Sequence, residues 1–215
     1  MDATTIDYVV RSRPTICEIL TNRGYSAEGY VDASPADIMT LVTNKVHALT
    51  INAKKTEGSL APMKRVVVLY ILEYAIRLSL DHFCDSLFDG EDAEYDVKSD
   101  EIIVIHNEPP HDAFTLQAQR QWHLRKGHIS FFPIKNLLSN PAHHIFVPPH
   151  RKLSAEEAAA VMKRLCVDSK GSFPHIKFHA DMQARVLGLV PGDLVEINRP
   201  SDTSGITTLF RVCTL

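Results

Sequence analysis

Long apolar runs, cysteine pairs and an excess of basic charge are all missing from this chain. Its most apolar stretch, Val66–Leu80, is interrupted by Glu73 and Arg77 and flanked by Lys64-Arg65 and Asp81-His82. A membrane span needs about 20 mostly apolar residues, so this stretch reads as a buried element. The first residues carry early acids and no apolar core, and no secretory signal is expected. Cys17, Cys84, Cys166 and Cys213 stand far apart, with no CxxC pair. That spacing fits buried or free thiols in a reducing compartment, the cytosol or nucleus, better than a disulfide framework or zinc site. Net charge is −3, with 9 Lys/Arg against 7 Asp/Glu in residues 143–215 and 14 against 19 in residues 1–142. So acidic a first part is not built chiefly to grip nucleic acid through phosphates.

Catalytic signatures are missing too. There is no HExxH, Gly-rich phosphate loop, GxSxG or Rossmann glycine pattern. Six of the eleven histidines fall in three loose groups, His106/His111, His143/His144 and His175/His179. His175 and His179 are spaced to share a strand face, but no further ligand lies at a zinc-like spacing, so no metal is expected. A Mg²⁺ nuclease needs carboxylates on neighbouring strands. Asp100 and Glu101 precede an apolar run and Glu108 follows it, but no lysine completes a catalytic set. The stretch Asp89–Glu101 reads instead as an acidic, solvated loop. No motif marks a cysteine as a nucleophile, which leaves packing as its role.

What is present is a soluble-protein composition, 45% hydrophobic and 23% charged, in 215 residues, enough for one domain or two. Residues 6–24 predict a helix with Tyr8, Val9, Ile16, Ile19 and Leu20 apolar, interrupted at Pro14 and ended by Gly24. Ser34-Pro35 with Asp37 opens a second helix. "HALTINAKK", "KRVVVLYIL", "IIVIHN", "HISFFPI" and "HHIFVPPH" predict strands, and Leu72, Ile76, Leu80, Phe83 and Leu87 have helical spacing. Strands mixed with helices point to an α/β layer architecture for the first part. Further on, Ser154 and Glu157 form a capping box before a helix whose apolar face is Ala158, Val161, Met162 and Leu165. "HIKF" reads as a strand, and Asp181 caps a short helix that Gly188 closes. Val190-Pro191-Gly192-Asp193 reads as a type II turn leading into a hairpin around Arg199–Gly205.

From His143 onward these segments fall in an order that resembles a known family. His144, Phe146, Val147, Pro148 and His150 match its His-x-Leu/Phe-Val-Pro-x-His stretch, and Phe173-Pro174-His175-Ile176 its Leu-Pro-x-Ile stretch. Asp181-Met182-Gln183-Ala184-Arg185, then Gly188-Leu189 and Gly192, match its Asp-Pro-x-Ala-Arg and Gly-Leu-x-x-Gly motifs. Arg199-Pro200-Ser201-Asp202-Thr203-Ser204-Gly205 matches Arg-Pro-Ser-Glu-Thr-Ala/Ser-Gly. The chain thus resembles the fifth common subunit of the eukaryotic nuclear RNA polymerases, whose archaeal counterpart is the small H-type polypeptide of RNA polymerase. Three positions depart from the pattern. Met182 replaces a proline, Asp202 a glutamate and His175 an arginine. "ICEILTNRGY", "SPADIMTLV" and "GHISFFPIKNLLSNPAHH" resemble parts of the eukaryotic first domain, whereas roughly Glu57 to Glu101 is divergent or expanded.

The resemblance implies two domains. Residues 1–142 would be an α/β jaw domain with a nuclease-like fold and no catalysis. Residues 143–215 would be a small α+β assembly domain with a mixed sheet. It implies a non-catalytic nuclear subunit without cofactor or metal, docked on the largest polymerase subunit and other core subunits. General transcription factors and, weakly or indirectly, downstream DNA would be further partners, and membranes would not. Val147, Pro148, His150, Arg199, Ser201, Asp202, Thr203 and Gly205 become interface candidates, and Arg11, Arg13 and Arg23 DNA-proximal ones. The competing readings are a stand-alone nucleic-acid-binding or nuclease-like protein, and a paralogue with a scaffold role outside the polymerase.

Overall fold

The computed structural model describes residues 3–30, 34–44, 49–88 and 95–215. The chain separates into two compact units, Met1–Asn140 and Pro141–Leu215, each with its own sheet. Part of the acidic stretch (89–94), and residues 31–33 and 45–48 in or beside predicted segments, lie outside the described residues.

The first unit opens on helix α1 (Ala3–Arg23), which runs straight through Pro14. The predicted interruption there is incorrect. A proline inside a helix costs about 3 kcal/mol through a lost donor and a clash with the carbonyl four residues back. Pro14 lies on the exposed side, where water can take up the freed carbonyl. Val9, Ile16, Ile19 and Leu20 are fully buried, and that packing carries the helix across the defect. Gly24 ends it, its N–H donating to the Thr21 carbonyl at 2.9 Å. At α2 (Pro35–Asn44) the Ser34 Oγ accepts from Asp37 N–H at 3.2 Å, and the Asp37 carboxylate accepts from Ser34 N–H at 3.0 Å. The N-cap expected at Ser34 is present, and Asp37 makes it reciprocal.

Five strands form the first sheet in the order β1-β2-β3-β4-β5: β1 (Tyr25–Ser26), β2 (Ile51–Lys55), β3 (Arg65–Ile71), β4 (Asp100–His106) and β5 (His128–Pro133). β1, β2 and β3 pair antiparallel, whereas β3, β4 and β5 run parallel. Parallel neighbours need crossovers, supplied by α3 (Leu80–Phe88) and α4 (Asp112–Arg125). Strands β3 to β5 are buried almost throughout, which explains their unbroken apolar sequences. β3 ends at Ile71 and α3 begins only at Leu80, after a 3-10 turn at Arg77–Ser79, so Leu72 and Ile76, expected on a helical spacing, lie in the connection. There the Glu108 carboxylate accepts from the Ile76 and Arg77 backbone N–H groups at 2.7 and 3.1 Å. The solvated-loop reading fails at its far end: Asp100 and Glu101 begin β4 and are buried.

The second unit forms a four-stranded mixed sheet in the order β6-β8-β9-β7, namely β6 (His150–Lys152), β7 (His175–Lys177), β8 (Leu194–Ser201) and β9 (Gly205–Thr214). β7 runs parallel to β9, and the other pairs are antiparallel. The strand predicted across "HHIFVPPH" is confined to its last residue, because Pro148 and Pro149 cannot donate to a ladder. α5 (Ala155–Arg164) carries the expected capping box, Glu157 N–H to Ser154 Oγ at 3.1 Å and Ser154 N–H to Glu157 Oε2 at 2.8 Å. Ala158, Val161 and Met162 pack with Leu153, Phe173, Leu194 and Val212. Leu165, expected on that face, is instead 45% exposed, because the helix has ended and it occupies the cap. At α6 (Met182–Leu187) the Asp181 carboxylate accepts from Gln183 N–H at 2.7 Å, so Met182 in place of proline leaves the cap intact. The turn into β8 is closed by Asp193 N–H to the Val190 carbonyl at 3.0 Å.

Candidate subunit interface

The hairpin β8–β9 is longer than its neighbours and narrows to a tip at Asp202, Thr203 and Ser204, with Ser201 paired to Gly205. Arg199 and Pro200, read from sequence as loop, belong to β8, paired with Thr207 and Ile206. Hydroxyls tie the tip. Ser201 Oγ lies 3.3 Å from Thr203 Oγ1 and accepts from Ser204 N–H at 3.4 Å, and Ser204 Oγ lies 2.8 Å from Thr207 Oγ1. Lower down, Thr208 donates to the Asn198 side-chain oxygen at 2.9 Å. Arg199 and Asp202 are exposed, and neither forms an ion pair among the described residues.

Val147, Pro148 and His150 are half-buried. The His150 Nδ1–H donates to the Pro148 carbonyl at 2.6 Å, which fixes the ring. The Asn198 N–H donates to the Pro149 carbonyl at 3.1 Å, and His150 pairs with Ile197. Two candidate stretches about fifty residues apart in sequence therefore meet along one strand. The most exposed apolar residues beside them, Ile145 and Phe146, are not among the sequence candidates. Ile145 and Phe146 are 88% and 86% exposed, at the centre of a turn closed by Val147 N–H to the His144 carbonyl at 2.8 Å. The available signal was an apolar pair directly before two prolines, where a strand cannot continue.

In the first unit only one of the three arginine candidates faces solvent. Arg11 is exposed, 3.6 Å from Asp7. Arg13 is 4% exposed, with Nη1 3.5 Å from the Leu49 carbonyl. Arg23 is buried in an ion pair with Glu101, so Arg13 and Arg23 are not presented to phosphates. Glu101 also accepts from the Tyr25 hydroxyl at 2.7 Å and lies 3.1 Å from His128 Nδ1. Burial alone would raise its carboxyl, but the charges of Arg23 and His128 and the bonds from His128 and Tyr25 outweigh it and hold it at about 2. Burial, then Glu101, pushes the Tyr25 hydroxyl upward.

These partners also occupy the carboxylates of the nuclease reading. Asp100 accepts from Arg65 at 2.9 and 2.5 Å and from Asp96 N–H at 3.0 Å, and Glu108 caps a turn. Among the described residues no three His, Cys, Asp or Glu side chains converge on a metal position. His175 and His179 do not share a face, since β7 ends at Lys177 and His179 is buried in a left-handed conformation. Burial raises the thiols of Cys17, Cys84 (to about 11) and Cys213 (to about 12), which leaves them inert as nucleophiles.

Residues 139–213, nearly the whole second unit, match the family described as RNA polymerase Rpb5, C-terminal domain. The chain is 39% identical over 69 residues to the DNA-directed RNA polymerase subunit Rpo5 of Pyrococcus abyssi, covering 32% of this chain and 82% of that protein. It is 43% identical over 68 residues to the Rpo5 of Aeropyrum pernix, covering 32% and 73% of the two chains. A longer match joins it to the subunit rpabc1 of DNA-directed RNA polymerases I, II and III from Dictyostelium discoideum. That match is 34% identical over 113 residues, 52% of this chain and 55% of the other. With the hairpin, the capped helices and this similarity in agreement, the chain belongs to the Rpb5 family of DNA-directed RNA polymerase subunits.

Proposed function

We propose that this chain is a non-catalytic subunit of nuclear DNA-dependent RNA polymerase, and that residues 143–215 are the domain that docks it on the largest subunit. Residues 1–142 form the jaw domain, with a nuclease-like α/β fold, beside incoming downstream DNA. General transcription factors and the other core subunits are its remaining contacts. The observation that carries this reading is the family match across the second unit. Within that unit, the charged side chains of the outer hairpin, Arg199 in β8 and Asp202 at the tip, have no ionic partner among the described residues. Such groups suit an outside partner, whereas the buried, occupied carboxylates of the first unit do not suit hydrolysis of nucleic acid.

Tagging the chain in its native cell and purifying it gently tests the proposal. It should bring down the polymerase large subunits in near-equal amount. Replacing Ser201, Asp202 and Thr203 together by Ala should lower that recovery about tenfold, equivalent to ~1.4 kcal/mol, without unfolding the second unit. Recovery of the intact chain without large subunits would overturn the proposal. Cleavage of DNA by the purified chain with Mg²⁺ would favour the nuclease-like alternative.

A further inference from the structure

The hairpin has two outer edges, and they are not equivalent. β7 pairs with β9 only from Val212 onward, so Gly205–Arg211 has β8 as its sole strand neighbour among the described residues, with Phe173 packed against the Phe210 ring. In an antiparallel ladder alternate residues turn their N–H and C=O groups to opposite sides. Val212 N–H points away from β8, to the Pro174 carbonyl, and Cys213 N–H points toward it, to the Asp193 carbonyl. The same alternation turns the backbone groups of Thr208 and Phe210 outward, where no described strand meets them. On the far side of the hairpin, Asn198 N–H is bonded to Pro149 and Pro200 has no N–H at all. One edge is therefore blunted by proline and the other is open.

An open edge is an association hazard that folded proteins normally suppress with lysine, proline or a bulge. Gly205–Arg211 has neither lysine nor proline, and its pairing with β8 runs without a bulge. Ile206 is 69% exposed and Leu209 39% exposed, which adds apolar surface beside unpaired backbone. Beside this edge arginines outnumber acids. Arg199 and Arg211 share a face with Leu209, and the Arg164 guanidinium lies 5.7 Å from the centre of the Phe210 ring on the other. Of the nearby acids, Glu196 is paired with Arg151 at 2.5 Å, and Asp202 stands at the tip.

We infer that the outer edge of β9, centred on Thr208 and Phe210, receives an extended segment of another polymerase subunit as an added strand. That segment carries apolar and acidic side chains. Its backbone bonds the outward groups of Thr208 and Phe210, and its carboxylates face the arginines. This rests on the polymerase reading and adds to it where and how the partner binds.

Hydrogen exchange of the full chain, free and within purified polymerase, tests the inference. The Thr208 and Phe210 amides should exchange freely in the isolated chain and slow at least about tenfold in the assembly. Equal, fast exchange in both states overturns the added strand and leaves the polymerase reading standing. Failure to recover any assembly overturns both. Thr208→Pro provides a second arm. It removes an N–H that the β8–β9 ladder does not use and should cut co-assembly about tenfold. Thr208→Ala, which loses only the hydroxyl bond to Asn198, should not. Undiminished assembly of a folded Thr208→Pro chain also overturns the inference, and the exchange experiment decides if that variant does not fold.

Discussion

Glu101→Gln should destabilise the first unit by roughly 3–5 kcal/mol, the usual cost of leaving a buried charge without its partner. Glutamine keeps the shape and can still accept from Tyr25, but the fully buried Arg23 would lose the Glu101 charge. The single tryptophan, Trp122, lies in α4 with its ring edge-on to His128, 6.4 Å away. Its fluorescence during urea unfolding therefore reports this unit specifically. A loss below about 1 kcal/mol would mean that water already solvates the pair. Arg23→Met combined with Glu101→Gln removes both charges and should recover much of the loss. Acid should mimic the single substitution. The Glu101 carboxyl sits at about 2 in the folded chain against 4.5 in its ordinary state. Its stabilisation is therefore complete above about pH 5 and disappears as pH falls from 4.5 toward 2. Glu101→Gln should flatten that limb of the stability profile and leave the neutral region parallel to wild type.

Gly24→Ala is the second large effect, expected at roughly 2–5 kcal/mol from two separable sources. Gly24 holds φ +93° at the junction of α1 and β1, where its carbonyl also accepts from Thr56 N–H at 2.9 Å. A side chain in this left-handed region costs about 1–2 kcal/mol. Its Cβ would also overlap the Ser59 Cβ and come 2.7 Å from Ser59 Oγ, so the 56–59 turn must move. Gly58→Ala isolates the first source. Gly58 has φ +74° with nothing within 4 Å of a new Cβ, so its loss should stay near 1–2 kcal/mol. Equal melting of the two variants would show that Ser59 yields without cost.

The features legible in the sequence are those whose cause is local or one-dimensional. The caps at Ser34, Ser154 and Asp181 each need only three or four consecutive residues. Strands β3 and β4 announce themselves because both faces are covered, leaving no polar alternation to hide them. Helix α4 had no such signal. Its buried face includes Gln117 and Gln121 beside Phe114 and Ala118, so the apolar stripe that marks a helix is half erased. The arginine candidates failed for a different reason, since the burial of Arg23 depends on Glu101, 78 residues away, a pairing set by the fold and not by neighbouring sequence. In the hairpin the polar motif was readable, but its division into strand and tip was not. Pro200 looks like loop until its place on an outer edge, where no N–H is required, is known.

The hydroxyl ties at the hairpin tip have a thermodynamic consequence for docking. A seven-residue polar loop that had to be frozen on contact would forfeit about 1 kcal/mol or more per residue in lost backbone freedom. Ser201, Thr203, Ser204 and Thr207 already satisfy one another in the isolated chain. Part of the tip's order is therefore in place before docking, and less of what its contacts yield is consumed in ordering the loop.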